Sequence, residues 1–128
     1  MALVTNVTSF GRTGLSDFVL QRVTALVLGA YGLCLVGFFA TTDVSHTSLA
    51  AFLGGTLMQW FSTAAIVALA VHAWIGMWTV GTDYIRQHAF GAGLGGSAFG
   101  LRLVYQFGCV AAIVVYMAWS LTIIWGLA

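Results

Sequence analysis

Three long apolar runs, separated by the few charged positions of the chain, organise the sequence. They cover residues 23–40, about 60–80 and 103–127. A hydrocarbon core about 30 Å thick requires roughly 20 residues of helix, so each run is long enough to cross a bilayer. Strands of a membrane β-barrel would instead alternate in polarity over segments of about ten residues, which these runs do not do. The pattern therefore predicts an all-α integral membrane protein with three transmembrane helices.

We expect these helices at roughly residues 18–41, 57–83 and 101–127 of a single membrane domain covering residues 1–128. The composition agrees, since 61% of the residues are hydrophobic and 5% are charged, with a mean hydropathy of +1.02. Soluble domains carry about 25% charged residues. The net charge of +1 provides no basic surface for a nucleic acid. Membrane lipid and other membrane helices are the expected surroundings.

All four arginines fall on one side of the predicted membrane. Arg12 and Arg22 precede the first run, and Arg86 and Arg102 flank the connection between the second and third runs. The 41–59 connection and the C-terminal end carry no basic residue. The positive-inside rule therefore predicts a cytoplasmic N-terminus and a periplasmic C-terminus.

One ionisable side chain, His72, lies deep in the second predicted helix. It is 12 residues from both Trp60 and Tyr84, which corresponds to roughly 18 Å of helix on either side and to a position near mid-membrane. His46 and His88 fall in the predicted loops on opposite sides. A polar group at membrane depth is costly, so His72 is a candidate functional residue.

Three interpretations of His72 remain open on these grounds. It forms a hydrogen bond with a Ser, a Thr or a carbonyl group of a neighbouring helix, it relays protons, or it is an axial ligand of haem iron. Ala65, Ala68 and Gly76 share its helix face and form a shallow trough, which suits either a flat macrocycle or close helix packing. Because His72 is the one histidine at depth, a haem with two histidine ligands would need the second from another polypeptide.

Two further patterns concern helix contacts and loops. The pairs Ala25 with Gly29 and Gly108 with Ala112 place small residues four positions apart, which predicts close approach of another helix, either internal or from a partner. The glycine-rich stretch 88–100 joins two predicted membrane helices, so it lacks the βαβ context of a dinucleotide-binding loop. We expect it to be a flexible connector.

Two sequence elements carry a family resemblance. The first is DFVLQR at residues 17–22, of the form D-[FW]-x-x-x-R at the start of the first helix. The second and more specific is HAWIGMW at residues 72–78, followed by TDY at residues 82–84. Over nearly its whole length the chain resembles the small hydrophobic membrane-anchor subunit of bacterial succinate dehydrogenase, the succinate:quinone oxidoreductase called complex II.

The resemblance implies roles for four residues. His72 would be an axial ligand of one haem b, whose iron is shared with a sister anchor subunit, and Arg22 would pair with a haem propionate. Tyr84 would donate a hydrogen bond to a carbonyl oxygen of ubiquinone, with the carboxylate of Asp83 beside that site. These assignments follow from the family motifs and not from spacing alone.

The resemblance also implies an assembly in the bacterial cytoplasmic (inner) membrane. Its partners would be the sister haem-ligating anchor subunit, an iron–sulfur subunit and a flavoprotein subunit that oxidises succinate. This chain has no cysteine spacing for a cluster and no flavin-binding fold, so it would not oxidise succinate itself. Two alternatives are the anchor of a quinol:fumarate reductase and a structural membrane subunit without a cofactor.

Overall fold

The computed structural model describes residues 14–84 and 95–127, with side chains described for residues 15–80 and 100–127. Regular structure in these ranges is entirely helical, as predicted. The helices, in chain order, are α1 (Gly14–Thr41), α2 (His46–Gly54), α3 (Thr56–Tyr84) and α4 (Gly95–Gly126).

The three long helices are apolar enough to cross a membrane, which confirms the predicted number of candidate spans. The qualifying segments are Leu15–Thr41, Thr56–Val80 and Gly100–Gly126. α1 begins at Gly14 and not near residue 18, because the apolar pattern does not register the polar first turn that contains Asp17. Arg22 consequently lies about two turns inside α1 and not at its start.

The predicted flexible connector is wrong for Gly95–Gly100, because these residues form the first turns of α4. Glycine lowers helix stability by about 0.5–1 kcal/mol relative to alanine, and this did not prevent the helix from extending beyond its apolar segment. The remainder of that stretch, residues 88–94, lies outside the described residues.

The short helix α2 was not predicted, and it lies in the connection between α1 and α3. Its N-terminus is a reciprocal capping box: Ser45 Oγ accepts from the Ser48 backbone N–H at 3.1 Å, and Ser48 Oγ accepts from the Ser45 N–H at 2.9 Å. Phe52 stacks on Phe38 of α1 with ring centroids 4.3 Å apart. The capping serines ahead of a short apolar segment were the sequence signal for this helix.

α3 is the central helix of the arrangement. It packs against α1 on one side and α4 on the other, while α1 and α4 do not pack against each other within the described residues. Most buried residues accordingly belong to α3, including Ala65, Ala68 and Ile75. A methyl group added at Gly29 or Gly108 would meet nothing within 4 Å among the described atoms, so the predicted small-residue contacts are not contacts between these helices.

Polar contacts fix the register of α4 on α3 at both ends. Tyr105 donates from its hydroxyl to the Met77 carbonyl oxygen at 2.9 Å. At the opposite end, Trp125 donates from Nε1 to Thr63 Oγ1 at 3.1 Å. The helices are therefore antiparallel neighbours in one register.

Candidate functional site

His72 is held against α1 by one hydrogen bond. Its Nδ1 lies 3.1 Å from Thr24 Oγ1. Thr24 is only 6% exposed, whereas His72 is partly buried. The structure therefore contains the side-chain hydrogen bond to a neighbouring helix that one of the three interpretations of His72 required.

The second ring nitrogen of His72, Nε2, differs from Nδ1 in its contacts. Nε2 makes no hydrogen bond within the part of the chain that the structure describes. The first and third interpretations are therefore compatible, since one nitrogen can serve the helix contact while the other binds a metal ion.

The small residues around His72 serve helix packing. Ala65 and Ala68 are 4% and 6% exposed, and a methyl group on Gly76 would lie 3.8 Å from Gln21 Nε2 of α1. α1 thus packs over the trough, for which the sequence allowed either a flat macrocycle or close helix packing.

The donor set suits one half of a haem site. The described residues contain no group of three or more His, Cys, Asp or Glu side chains that could chelate a metal ion by themselves. One imidazole with one nitrogen anchored provides a single axial ligand. The chemistry of these residues fits a haem whose second axial ligand comes from another chain.

Arg22 lies away from His72. Its side chain is exposed, with the guanidinium carbon 3.7 Å from the ring centroid of Phe18 in the same helix. Two residues correspond to about 200° of rotation on a helix, so Arg22 lies on nearly the opposite side of α1 from Thr24. The structure therefore does not bring Arg22 and His72 together within this chain.

Asp83 and Tyr84 belong to the last turn of α3. The 12 residues between His72 and Tyr84 correspond to about 18 Å of helix, as the sequence predicted. The side chains of both residues lie outside the described residues.

His72 lies near the middle of α3. The midpoint of Thr56–Tyr84 is Ala70, and two residues of helix correspond to about 3 Å.

The sequence alone suggested no individual role for three polar side chains near this end of the α1–α3 pair. The first was Thr24, and the others are Gln21 and Trp78, whose Oε1 and Nε1 atoms are buried without a hydrogen-bond partner in the described part of the chain. Their signal was a Thr, a Gln and a Trp in otherwise apolar helices. It could not be used without knowing which face of α1 meets α3.

A second polar contact joins the same two helices farther along. Tyr31 and Ser62 have their hydroxyl oxygens 2.8 Å apart, and Ser62 is 1% exposed. The Tyr31 ring also meets Phe61 edge-on at 5.2 Å. These contacts and the Thr24–His72 pair together define how α1 lies on α3.

No protein-family model matches the chain. A curated relative does: the chain is 29% identical over 115 residues to the succinate dehydrogenase hydrophobic membrane anchor subunit of Coxiella burnetii. The match covers 89% of this chain and 90% of the relative. The chain is similar to this anchor subunit over nearly its whole length. The predicted resemblance to this family is thereby confirmed, and the near-complete coverage of both chains agrees with a shared membrane fold.

Proposed function

We propose that the chain anchors a bacterial succinate:ubiquinone oxidoreductase in the membrane, shares one haem b with a sister anchor subunit, and forms part of the ubiquinone-reducing site. The observation that carries the proposal is the near full-length match to a succinate dehydrogenase membrane anchor. Three helices capable of crossing a membrane support the anchoring role.

In this proposal His72 is an axial ligand of the haem iron through Nε2. The Thr24 contact engages Nδ1 and leaves Nε2 without a hydrogen bond among the described residues, which supports this use of the ring. When bound, the haem supplies a centre that accepts and returns one electron. The second ligand comes from the sister subunit.

Arg22 binds a haem propionate in this proposal, and its exposed position on the outer side of α1 requires that the propionate lie at the interface with another subunit. An arginine guanidinium is suited to a carboxylate because it can donate two parallel hydrogen bonds. Stacking on Phe18 restricts the side chain and supports such a role.

Tyr84 and Asp83 line the quinone site in this proposal. A phenolic hydroxyl at the end of α3 can donate to a quinone oxygen as negative charge develops on reduction. Asp83, the preceding residue, offers a carboxylate for proton delivery beside it. Their position in the last turn of α3 supports a site near the end of this helix, where a soluble electron donor would dock.

The sister anchor, an iron–sulfur subunit and a flavoprotein subunit are the proposed partners. Gly29 and Gly108 present backbone that is open to close approach, as helix contacts in membranes require. The arginine distribution favours a cytoplasmic N-terminus and a periplasmic C-terminus in the bacterial inner membrane. Tyr84 and Asp83 then face the cytoplasm, where the two soluble subunits would bind.

A reduced-minus-oxidised spectrum of the purified complex tests the haem proposal. We expect a b-type signal that His72→Ala abolishes or alters. His46→Ala is the matched control, because His46 is an exposed histidine at the start of α2 and should leave the signal unchanged. A complex without a b-type signal would favour a cofactor-free structural role, for which the Thr24 hydrogen bond would be the whole function of His72.

A further inference from the structure

Thr24 has a single hydroxyl hydrogen and three nearby partners. Oγ1 lies 2.6 Å from the Leu20 carbonyl oxygen, 3.1 Å from the Gln21 carbonyl oxygen and 3.1 Å from His72 Nδ1. A carbonyl oxygen can only accept a hydrogen bond. A close contact between Oγ1 and a carbonyl oxygen is therefore favourable only if the hydroxyl hydrogen points to that carbonyl oxygen. At 2.6 Å, Leu20 is the closest partner and takes the hydrogen.

This assignment determines the direction of the bond to His72. With its hydrogen committed to Leu20, Oγ1 can only accept from the imidazole, and Nδ1 must carry the ring hydrogen. If the hydroxyl instead donated to Nδ1, two oxygen lone pairs would face each other at 2.6 Å. A hydrogen bond from a threonine hydroxyl to a carbonyl oxygen of the preceding turn is common in helices, and it lowers helix stability only slightly.

We propose that Thr24 is a positioning residue for His72: its hydroxyl holds the hydrogen of His72 on Nδ1, so the Nε2 lone pair is directed to the haem iron. This inference rests on the proposed function. Thr24 does not touch the iron, and it acts by setting the tautomer and orientation of the ligand. Its own position is rigid, because the side chain is 6% exposed and bonded to the backbone of its helix.

Replacing the hydroxyl with a methyl group provides the first test. Thr24→Val keeps the side-chain shape, and we expect haem affinity to fall by about 10–100-fold, the range for losing such a partner of a ligating histidine. The midpoint potential of the remaining haem should rise, because an imidazole without this hydrogen bond is a weaker donor to ferric iron. Thr24→Ser keeps the hydroxyl and should retain wild-type haem content and potential.

Thr63→Val is the matched control. The Thr63 hydroxyl also bonds the carbonyl oxygen four residues earlier, at 2.8 Å, and also accepts from an aromatic N–H, that of Trp125. It lies nine residues from His72, so its loss should leave the haem potential and the electron paramagnetic resonance spectrum of the oxidised haem unchanged. Equal haem loss in both valine variants would overturn the proposal, as would a wild-type potential and haem content in Thr24→Val.

A measurement on the wild-type complex covers the case in which Thr24→Val does not assemble. Solid-state NMR with ¹⁵N-labelled histidine and ¹³C-labelled threonine in this chain should show a protonated Nδ1 correlated with the Thr24 side chain. An Nδ1 without a hydrogen, or without that correlation, would contradict the inference. A complex that keeps its b-type spectrum after His72→Ala would instead reject the proposed function, so the two failures are distinguishable.

Discussion

Gln59 of α3 donates a hydrogen bond from Nε2 to the backbone carbonyl oxygen of Ile124 in α4, at 3.2 Å. Gln59 is 3% exposed and Ile124 is 8% exposed. The acceptor lies in the last turn of α4, where carbonyl groups have no partner within their own helix. A buried side chain of one helix therefore supplies a hydrogen bond to the end of its neighbour.

Gln59→Leu should weaken this junction. The substitution keeps the side-chain volume similar but leaves the Ile124 carbonyl without its donor, and interhelical hydrogen bonds in membranes contribute about 0.6 kcal/mol on average and up to about 1.7 kcal/mol. We expect a lower thermal stability of the detergent-solubilised complex with an unchanged haem spectrum. Thr122→Val is the control, since the Thr122 hydroxyl bonds only its own helix in the described structure. Equal stability of the two variants would contradict this role for Gln59.

Gly54 allows the end of α2 to contact the end of α4. A methyl group at Gly54 would lie 2.8 Å from the Leu127 carbonyl oxygen, and backbone atoms cannot easily move away. Gly54→Ala should therefore destabilise the protein by about 1–3 kcal/mol, the usual range for overpacking. Gly55→Ala is a control one residue away, because its methyl group would be 3.6 Å from the nearest atom and its backbone is extended. Comparison of the two unfolding midpoints tests the prediction, and similar values would refute it.

The apolar runs predicted the three long helices because a bilayer imposes a minimum length on each. His72 was predicted to be a functional residue because an ionisable group is rare and costly within a membrane span. Thr24 could not be predicted. The long helices are apolar on nearly all sides, so the sequence does not mark which face of α1 meets α3. The role of Thr24 depends on a rotation and a register that side-chain packing alone determines, and α2 was too short to give a periodic signal.

Tyr31 and Ser62 should be energetically coupled through their 2.8 Å hydrogen bond. Tyr31→Phe retains the ring contact with Phe61 but removes the hydroxyl, leaving Ser62 buried without this partner. A double-mutant cycle with Ser62→Ala should give a coupling of about 0.5–1.5 kcal/mol in unfolding free energy. Tyr116→Phe, at a side chain that is 64% exposed, should change little. Additive effects of Tyr31→Phe and Ser62→Ala would show that the contact contributes nothing measurable.

Arg22→Gln tests the proposed contact with a haem propionate. Removing a positive charge near the haem disfavours the added electron, so the midpoint potential of haem b should fall. Arg102→Gln is the control, because Arg102 lies near the start of the α4 span at the same membrane face and has the same charge. A potential that shifts equally in both variants would indicate a general electrostatic effect, and no shift in Arg22→Gln would leave Arg22 as a determinant of topology.

Tyr84→Phe tests the proposed quinone site without touching the haem ligand. The substitution removes only the phenolic hydroxyl, so electrons should still leave succinate at the wild-type rate when an artificial acceptor takes them from the soluble subunits. Reduction of ubiquinone should fall by about 10–1000-fold, the range between loss of one neutral hydrogen bond and loss of a donor to a developing oxyanion. Tyr116→Phe serves again as the exposed tyrosine control. Equal loss of both activities would point to a defect in assembly, whereas an unchanged rate of ubiquinone reduction would remove Tyr84 from the site.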